Sequence, residues 1–254
     1  MLTKTQIKEL AKEHDFYLKK RLGQNLLIDK NLRDKIIRLI DLGSDDTVLE
    51  IGAGLGALTE ALADGCRFVY AVEKDKKLYE LAKELLSGHK NLEVIYCDFL
   101  RFDIGDKSSE DLKVVGALPF CITSPIIQHL LNFRERISAI FIIVQKEVAR
   151  RLAAKAGEDD YSALSLFVQF SSQVELLMDI RKDVFFPAPK VDAKLVKLTI
   201  LRQPPVKVRD EKALFKVIRQ AFAQRRKTLL ASLSHKGILG LDREAIGHIL
   251  GDLG

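Results

Sequence analysis

The sequence predicts an α/β fold, in which a mainly parallel sheet has helices on both faces and a small helical unit follows. Short apolar segments alternate with amphipathic ones from Asp46 onward, as in consecutive β-α-β units. A glycine-rich stretch follows the first of these apolar segments. The charge is uneven, because residues 202–254 contain eleven lysines and arginines against five acids and so hold the whole net charge of +6.

The composition is that of a globular protein from a reducing compartment. Apolar residues make up 47% of the 254 positions, and no apolar run reaches the roughly 18–20 residues that span a bilayer. The amino-terminal segment is amphipathic and contains acids, unlike a secretory signal. Cys66, Cys97 and Cys121 are far apart and lack CxxC spacing. We therefore expect no disulfide, no metal site and a cytoplasmic location.

The elements follow from the period of the apolar residues. Residues 3–14 and 30–41 predict amphipathic helices, the second with Leu32, Ile36 and Ile40 on one face. Apolar, β-branched runs predict buried parallel strands at 47–51, 68–72, 92–96, 112–115 and 139–144. Helical periods predict helices at 58–63, 76–86, 125–131, 147–154 and 163–170. Two alternating segments, 173–178 and 193–201, predict the final pair of strands.

The carboxyl-terminal fifth predicts a separate helical domain. The sequence Gln203-Pro204-Pro205 indicates a stiff linker, so we place one domain at 1–201 and a second at 202–254. Apolar residues at fourfold spacing predict one helix over 210–233, and a short helix is predicted at 243–250. The localised positive charge favours a polyanion such as a phosphate backbone as partner, although a solvated helix face would have the same composition.

The glycine-rich loop predicts a nucleotide-type ligand. Gly52, Gly54 and Gly56 lie between a predicted strand and a predicted helix, where glycines let backbone amides approach a ligand closely. The spacing alone fits NAD, FAD and methyltransferase sites alike, so an NAD-type oxidoreductase stays open at this point.

Two acids at the ends of the next two strands narrow the choice. Glu73 is placed to bind both ribose hydroxyls of an adenosine, and Asp98 to accept a hydrogen bond from its adenine amino group. In isolation a surface acid explains Glu73 and a turn or cap explains Asp98. The GxGxG spacing, preceded by Glu50, favours a methionine-bearing nucleoside without a pyrophosphate. These positions together predict S-adenosyl-L-methionine as the cofactor.

A proline-containing loop follows the fourth strand, at the sheet edge where ligands bind in open α/β folds. Enzymes that methylate adenine amino groups have a polar residue, an apolar residue or proline, then proline and an aromatic here. Residues 117–120 read ALPF. We expect Phe120 to stack on an extruded adenine and the Pro119 carbonyl region to accept the amino hydrogen.

Together these segments resemble the rRNA adenine dimethyltransferases of the KsgA and Erm type. The matching stretches are RLGQNLL at 21–27, the loop at 50–56, Glu73, Asp98, LPF at 118–120, YSALS at 161–165, FPAPKVD at 186–192 and QRRKTL at 224–229. They follow the family's order from about residue 19 to residue 233. The RRKTL stretch is typical of the small-subunit rRNA enzymes.

The resemblance implies a Rossmann-like methyltransferase that uses S-adenosyl-L-methionine to dimethylate two adjacent adenosines near the 3′ end of small-subunit (16S) rRNA. The catalytic residues would be Ala117, Leu118, Pro119 and Phe120. The cofactor-binding residues would be Asn25, Leu27, Gly52, Gly54, Gly56, Glu73, Asp98 and Ala117. The RNA-binding residues would be Lys19, Lys20, Arg21, Arg225, Arg226 and Lys227. The implied partner is small-subunit rRNA in an immature subunit, with no membrane and with the protein a monomer.

Ala117 departs from the family, which has Asn at this position. Loss of one hydrogen bond to the transition state costs ~2–4 kcal/mol, or ~10²–10³ in rate. Three interpretations stay open. The Leu118 and Pro119 backbone suffices, the loop has been disabled by substitution, or the protein binds rRNA as an assembly factor with weak or no catalysis.

Overall fold

The computed structural model describes residues 1–19, 23–106, 111–119, 122–224, 226–234 and 240–252. Its helices are α1 Lys4–Glu13, α2 Lys30–Ile40, α3 Ala57–Ala63, α4 Lys76–Leu85, α5 Thr123–Asn132, α6 Lys146–Ala153, α7 Ala163–Ser171, α8 Glu211–Ala221, α9 Leu229–Leu233 and α10 Arg243–Asp252. Its strands are β1 Leu26–Leu27, β2 Thr47–Ile51, β3 Phe68–Glu73, β4 Leu92–Tyr96, β5 Leu112–Ala117, β6 Ile137–Gln145, β7 Ser172–Ile180, β8 Phe185–Phe186 and β9 Ala193–Ile200. No helix within these ranges has the length and apolar character needed to cross a bilayer.

The main sheet of the described chain has the strand order β4-β3-β2-β5-β6-β9-β7. Strands β2 to β6 run parallel, and β9 runs antiparallel to both of its neighbours. The order reverses between β2 and β5, where the chain has moved outward through β3 and β4 and then crosses back. Ligands bind outside the carboxyl ends of the strands at such a reversal. The predicted α/β fold is confirmed.

Both faces of the sheet are covered by apolar helices. Alternate residues of β6 enter opposite clusters, so that Ile140 and Ile142 meet α5, α6 and α7 while Phe141 and Ile143 meet α2 and α3. A continuous apolar run is what a strand buried on both faces requires, because successive side chains point to opposite sides.

A second, two-stranded sheet was not predicted. Strand β1 pairs antiparallel with β8, with Leu26 opposite Phe186 and Leu27 opposite Phe185. Neither strand is long enough to show a period in the sequence. This small sheet matters for the site, because it joins the segment before α2 to the proline-rich segment before β9.

The single helix predicted over 210–233 is wrong. Helix α8 ends at Ala221, and α9 begins only at Leu229 after a cap in which the Thr228 hydroxyl accepts a hydrogen bond from the Ala231 amide. The Gln220 amide then donates to the Ser232 carbonyl at 2.6 Å and ties the two helices together. The apolar period continues across the break, which is why the sequence pattern did not show it.

The carboxyl-terminal helices pack on the sheet domain through aromatic side chains. The Phe215 ring of α8 lies 4.7 Å from that of Phe167 and 5.4 Å from that of Phe170, both on α7. Arg134, after α5, donates two hydrogen bonds to the Glu211 carboxylate at 2.8 and 2.9 Å. The division into domains at residue 202 stays a prediction.

We predict that Phe215→Ala lowers the free energy of unfolding by about 2 kcal/mol, because a partly buried ring and its two aromatic contacts are lost. Urea denaturation followed by circular dichroism measures the change. Val217→Ala on the same helix is the control, since Val217 is 38% exposed. An equal effect of the two substitutions would contradict this account of the contact.

Candidate cofactor and adenine site

The glycine loop after β2 needs glycine at its centre. Gly54 has a φ of +59°, and a Cβ atom there would lie 2.8 Å from the Leu26 side chain of β1. Any other residue at this position would be strained by the positive φ, and its Cβ would displace the end of the Leu26 side chain. Gly52 and Gly56 also have positive φ, of +80° each.

The amides of this loop are already bonded within the protein. The Gly52 and Ala53 N–H groups donate to the Val72 carbonyl of β3 at 2.8 and 3.3 Å. The Gly54 N–H donates to the Glu73 carboxylate at 2.9 Å. A dinucleotide loop must offer its amides to a pyrophosphate, which this loop does not do. The geometry therefore favours a nucleoside without a diphosphate.

Glu73 stands at the end of β3 with both carboxylate oxygens engaged by backbone. One accepts from Gly54, and the other accepts from the Asp75 N–H at 2.8 Å. The side chain is buried at 7% exposure, and burial raises its pKa, an effect that these backbone hydrogen bonds oppose. Each oxygen keeps a further lone pair, so the carboxylate retains the capacity to accept from two ribose hydroxyls.

Asp98, two residues beyond β4, is both a cap and a charged acceptor. One oxygen accepts from the Leu100 N–H at 3.2 Å and so begins a 3₁₀ turn over Phe99–Arg101. The other accepts from the Lys74 ammonium at 2.6 Å. That hydrogen bond holds the pKa of Asp98 below its ordinary value, so the group is ionised at neutral pH and can accept from an adenine amino group.

A cavity of about 220 Å³ collects most of the predicted cofactor residues at the carboxyl edge of the sheet. Its lining includes Asn25, Gly52, Gly54, Glu73, Asp98, Ala117 and Pro119. Leu27 and Gly56 are not in the lining. Leu27, the second residue of β1, is buried in the core. Gly56 caps α3, and its α-carbon faces Leu86. These two residues shape the site from outside the cavity.

A second, smaller crevice of about 20 Å³ adjoins this cavity. The two share Gly23, Asn25 and Ala117 as lining residues. Leu118 and Pro189 line only the crevice, so the proline-rich segment that the sequence left without a chemical role forms one of its walls. The crevice opens at Ala117, the residue that ends β5, directly beside the larger cavity.

The Pro119 carbonyl, predicted to accept an amino hydrogen, is engaged within the protein. It accepts hydrogen bonds from the Ile122 N–H and the Thr123 hydroxyl, both at 3.1 Å, and so helps to begin α5. Two donors use both of its lone pairs. The Leu118 carbonyl is then the main-chain acceptor that remains, and the Phe120 ring lies outside the described residues.

The structure separates the predicted RNA-binding residues. Lys19 donates to the Asp75 carboxylate at 2.6 Å, so its charge is paired at the rim of the cofactor cavity. Arg226 and Lys227 are exposed between α8 and α9. Lys20, Arg21 and Arg225 lie outside the described residues.

Sequence reasoning missed Lys74 and Asp75, and it assigned Lys19 to RNA without finding its ion pair with an acid of the site. Lys74 and Asp75 directly follow Glu73, and Lys74 with Lys19 supplies the cations paired with Asp98 and Asp75. Their position after a strand-end acid was the available signal. Within the described ranges no group of three potential metal ligands is found.

Glu50 precedes the glycine loop, and we expected it to pair with the ammonium of a methionine-bearing cofactor. It does not line the cavity. Its side chain is 2% exposed, and its Oε2 has no hydrogen-bond partner within the described chain. Burial raises the pKa of Glu50 to about 8, with a smaller contribution from the nearby Glu73, while the Thr59 hydroxyl opposes the rise. Its pairing with a ligand ammonium stays a prediction.

Comparison with known proteins identifies the family. A model described as ribosomal RNA adenine dimethylase matches residues 15–247. A relative from Geobacillus sp. (strain WCH70), named ribosomal RNA small subunit methyltransferase A, is 42% identical over 91% of this chain and 81% of its own length. A relative of the same name from Halothermothrix orenii is 40% identical over 97% of this chain and 84% of its own length. The chain belongs to the ribosomal RNA adenine dimethylase family.

Solved structures agree with this membership. A dimethyladenosine transferase from Plasmodium falciparum has a TM-score of 0.74 at 30% identity, over 85% of this chain and 77% of that one. The 23S rRNA methyltransferase ErmE has a TM-score of 0.69 at 30% identity, over 88% and 89%. As a member of the ribosomal RNA adenine dimethylase family the chain is an enzyme, a methyltransferase that uses S-adenosyl-L-methionine, so the cofactor prediction is confirmed. The NAD-type alternative is excluded.

We predict that Glu50→Gln gains stability relative to wild type as the pH rises from 4.5 to 8. In the unfolded chain Glu50 ionises near 4.5, whereas in the folded protein it keeps its proton to about 8. Between these values the proton is bound only in the folded state, so wild-type stability falls with rising pH. The difference should grow by up to roughly 1.4 kcal/mol per pH unit.

Urea denaturation across this window, without cofactor, measures the effect. Glu60→Gln is the control, because the hydrogen bond from the Met1 amine holds the pKa of Glu60 below its ordinary value. Its stabilising effect is fully present above the ordinary pKa and is lost only at lower pH, so that difference should stay constant across the window. A constant difference for Glu50→Gln as well would show that its carboxyl is not kept protonated by burial.

Proposed function

We propose that this enzyme dimethylates the N6 atoms of two adjacent adenosines near the 3′ end of small-subunit (16S) rRNA, during assembly of the small ribosomal subunit. The observation that supports it best is the junction of the cofactor cavity with the crevice at Ala117. The name of its relatives, ribosomal RNA small subunit methyltransferase A, supports the choice of subunit. We further propose that it acts as a cytoplasmic monomer.

In this proposal the residues of the larger cavity hold and orient the cofactor. The Glu73 carboxylate accepts from the ribose hydroxyls, and Asp98 accepts from the adenine amino group. Asn25 lines both cavities and borders the reacting end. The bound cofactor supplies an electrophilic methyl group on its sulfonium. The protein mainly has to align this methyl with the substrate nitrogen, and such positioning provides much of the rate.

On the substrate side the loop after β5 receives an extruded adenine. Its exocyclic nitrogen is a poor nucleophile, because the lone pair is delocalised into the ring. An oxygen that accepts an amino hydrogen favours the pyramidal, reactive nitrogen. We assign this role to the Leu118 carbonyl, since the Pro119 carbonyl is bonded to α5. We assign stacking on the base to Phe120.

Ala117 supports a second candidate function on the same fold. Its methyl side chain has no acceptor, although the residue stands where the two cavities meet. A chain that binds rRNA and the cofactor but transfers methyl groups weakly or not at all would act as a ribosome assembly factor. Turnover separates the two candidates.

We predict that Ala117→Asn raises methyl transfer to rRNA adenines by up to ~10²-fold, because an amide oxygen there adds one hydrogen bond to the transition state. Tritium incorporation from S-adenosyl-L-methionine measures the rate. Ala117→Val, which adds bulk without an acceptor, is the control and should not raise it. Equal rates for Ala117→Asn and wild type would show that this position does not limit the reaction.

The function itself is tested by methyl incorporation into under-methylated small ribosomal subunits, with mass spectrometry of the 3′ region of the rRNA. Dimethylation of two neighbouring adenosines there is the expected result. Binding of the subunits without any incorporation would select the assembly factor. Incorporation only into large-subunit rRNA or into DNA would overturn the proposed substrate.

We further propose that the basic carboxyl-terminal unit binds the RNA backbone, with Arg225, Arg226 and Lys227 in contact with phosphates. Arg226→Gln with Lys227→Gln should weaken RNA binding at all sequences and lower the salt slope of the logarithm of the affinity by about 1–2. Lys83→Gln with Lys90→Gln, which removes two exposed lysines away from both cavities, is the control. Binding measured across a salt series that shows no difference between the pairs would contradict this assignment.

A further inference from the structure

A groove lies beside the amino-terminal helix, away from the cofactor cavity. It has a volume of about 520 Å³ and runs between α1, the turn at 15–18 and the end of β8. Its floor is apolar, formed by Ile7, Ala11 and Phe16, and its far wall is Phe186 with Pro187. We call it the amino-terminal groove.

The charges of α1 are sorted toward this groove. Lys8 and Lys12 line it, whereas Glu9 and Glu13 do not. Residues four apart lie on one flank of a helix, so Lys4 continues the same row, and its ammonium sits 5.5 Å from the centre of the Phe186 ring. Asp15 is the acid in the lining. The flank that faces the groove is therefore positive.

An exposed aromatic side chain stands at the same place. Tyr17 is 81% exposed, more than any other large apolar side chain in the described chain, and it lines the groove. The preceding residue, Phe16, is 4% exposed and anchors the turn in the core. A ring held in solvent by a buried neighbour, next to lysines, is the combination by which proteins bind single-stranded nucleic acid.

The small sheet of β1 and β8 connects the wall of the groove to the walls of the cofactor cavity and the crevice. Phe186 forms its wall and pairs with Leu26, which lines the cofactor cavity beside Asn25. Three residues further along the same segment, Pro189 lines the crevice. The segment from Phe186 to Pro189 therefore borders the groove at one end and the crevice at the other.

We propose that the amino-terminal groove binds the single-stranded RNA that flanks the target adenosine, with a base stacked on Tyr17 and phosphates at Lys8 and Lys12. This inference rests on the proposed function, because it takes rRNA as the substrate. It adds a contact surface that shares no residue with the basic carboxyl-terminal unit. Binding of the RNA strand on one side of the extruded base would determine which adenine enters the crevice.

Two variants test it, Tyr17→Ala and the pair Lys8→Gln with Lys12→Gln. The probe is a labelled RNA hairpin with two adjacent adenosines in its loop, used with and without a single-stranded flank. Tyr17→Ala should weaken binding of the flanked probe about tenfold. The lysine pair should lower the salt slope of binding by about 1–2.

Matched controls come from other surfaces. Tyr96→Ala removes a ring that is 54% exposed at the edge strand β4, and Lys30→Gln with Lys35→Gln removes two exposed lysines of α2. Both should bind the probe as wild type does. Unchanged affinity for S-adenosyl-L-methionine in all four proteins would show that the cofactor site is intact.

The outcomes separate this inference from the proposed function. If wild type binds and methylates the probe and both groove variants match it, the groove inference is wrong and the function stands. If the groove variants lose binding to whole subunits but not to the flanked RNA, the groove takes a ribosomal protein and the RNA assignment is overturned. If wild type neither binds nor methylates any rRNA, the proposed function fails and this inference with it.

Discussion

The site depends on one buried carboxylate that joins two strand ends. Glu73 accepts the Gly54 N–H with one oxygen and the Asp75 N–H with the other, at 2.9 and 2.8 Å. The glycine loop after β2 and the turn after β3 are thereby held together around a charge that is almost fully withdrawn from water. Burial of an ionised group is unfavourable unless it is hydrogen-bonded, and the backbone provides those bonds here. Glu73 also lines the cavity, so in the proposed function the residue that closes the loop is the one that binds the ribose.

The sheet topology explains why the cofactor cavity and the crevice meet at Ala117. The strand order reverses between β2 and β5, which leaves a gap at the carboxyl edge that no crossover helix covers. The cofactor cavity lies on the side of β2 and β3, and the crevice lies on the side of β5 and β6. The small sheet of β1 and β8 borders both the cofactor cavity and the crevice. It brings together two segments that are far apart in the sequence. Alignment of two reactants, the main task of a methyltransferase, thus follows from the fold.

Much of this could be predicted from the sequence, for identifiable reasons. Strand-end acids and glycines are local signals, so Glu73, Asp98 and the loop were placed correctly at one edge of the sheet. Tertiary contacts could not be predicted from the sequence pattern. The two-residue strands have no period, the break before Thr228 interrupts a pattern that continues across it, and the hydrogen bonds to the Pro119 carbonyl come from a helix that the carbonyl itself helps to begin. The ion pairs of Lys19 and Lys74 also join residues 56 and 24 positions apart.

Ala117 lies where the two cavities meet. In the proposed function both reactants bind at this junction, although the family's Asn is absent, and this can be tested directly. The most direct measurement is a crystal structure of the protein with S-adenosylhomocysteine and a short adenosine-containing RNA. The account predicts ribose hydroxyls at Glu73, the cofactor adenine at Asp98 and a flat substrate base between Leu118 and Pro189. A cofactor bound away from Glu73, or a substrate base bound away from Ala117, would contradict it.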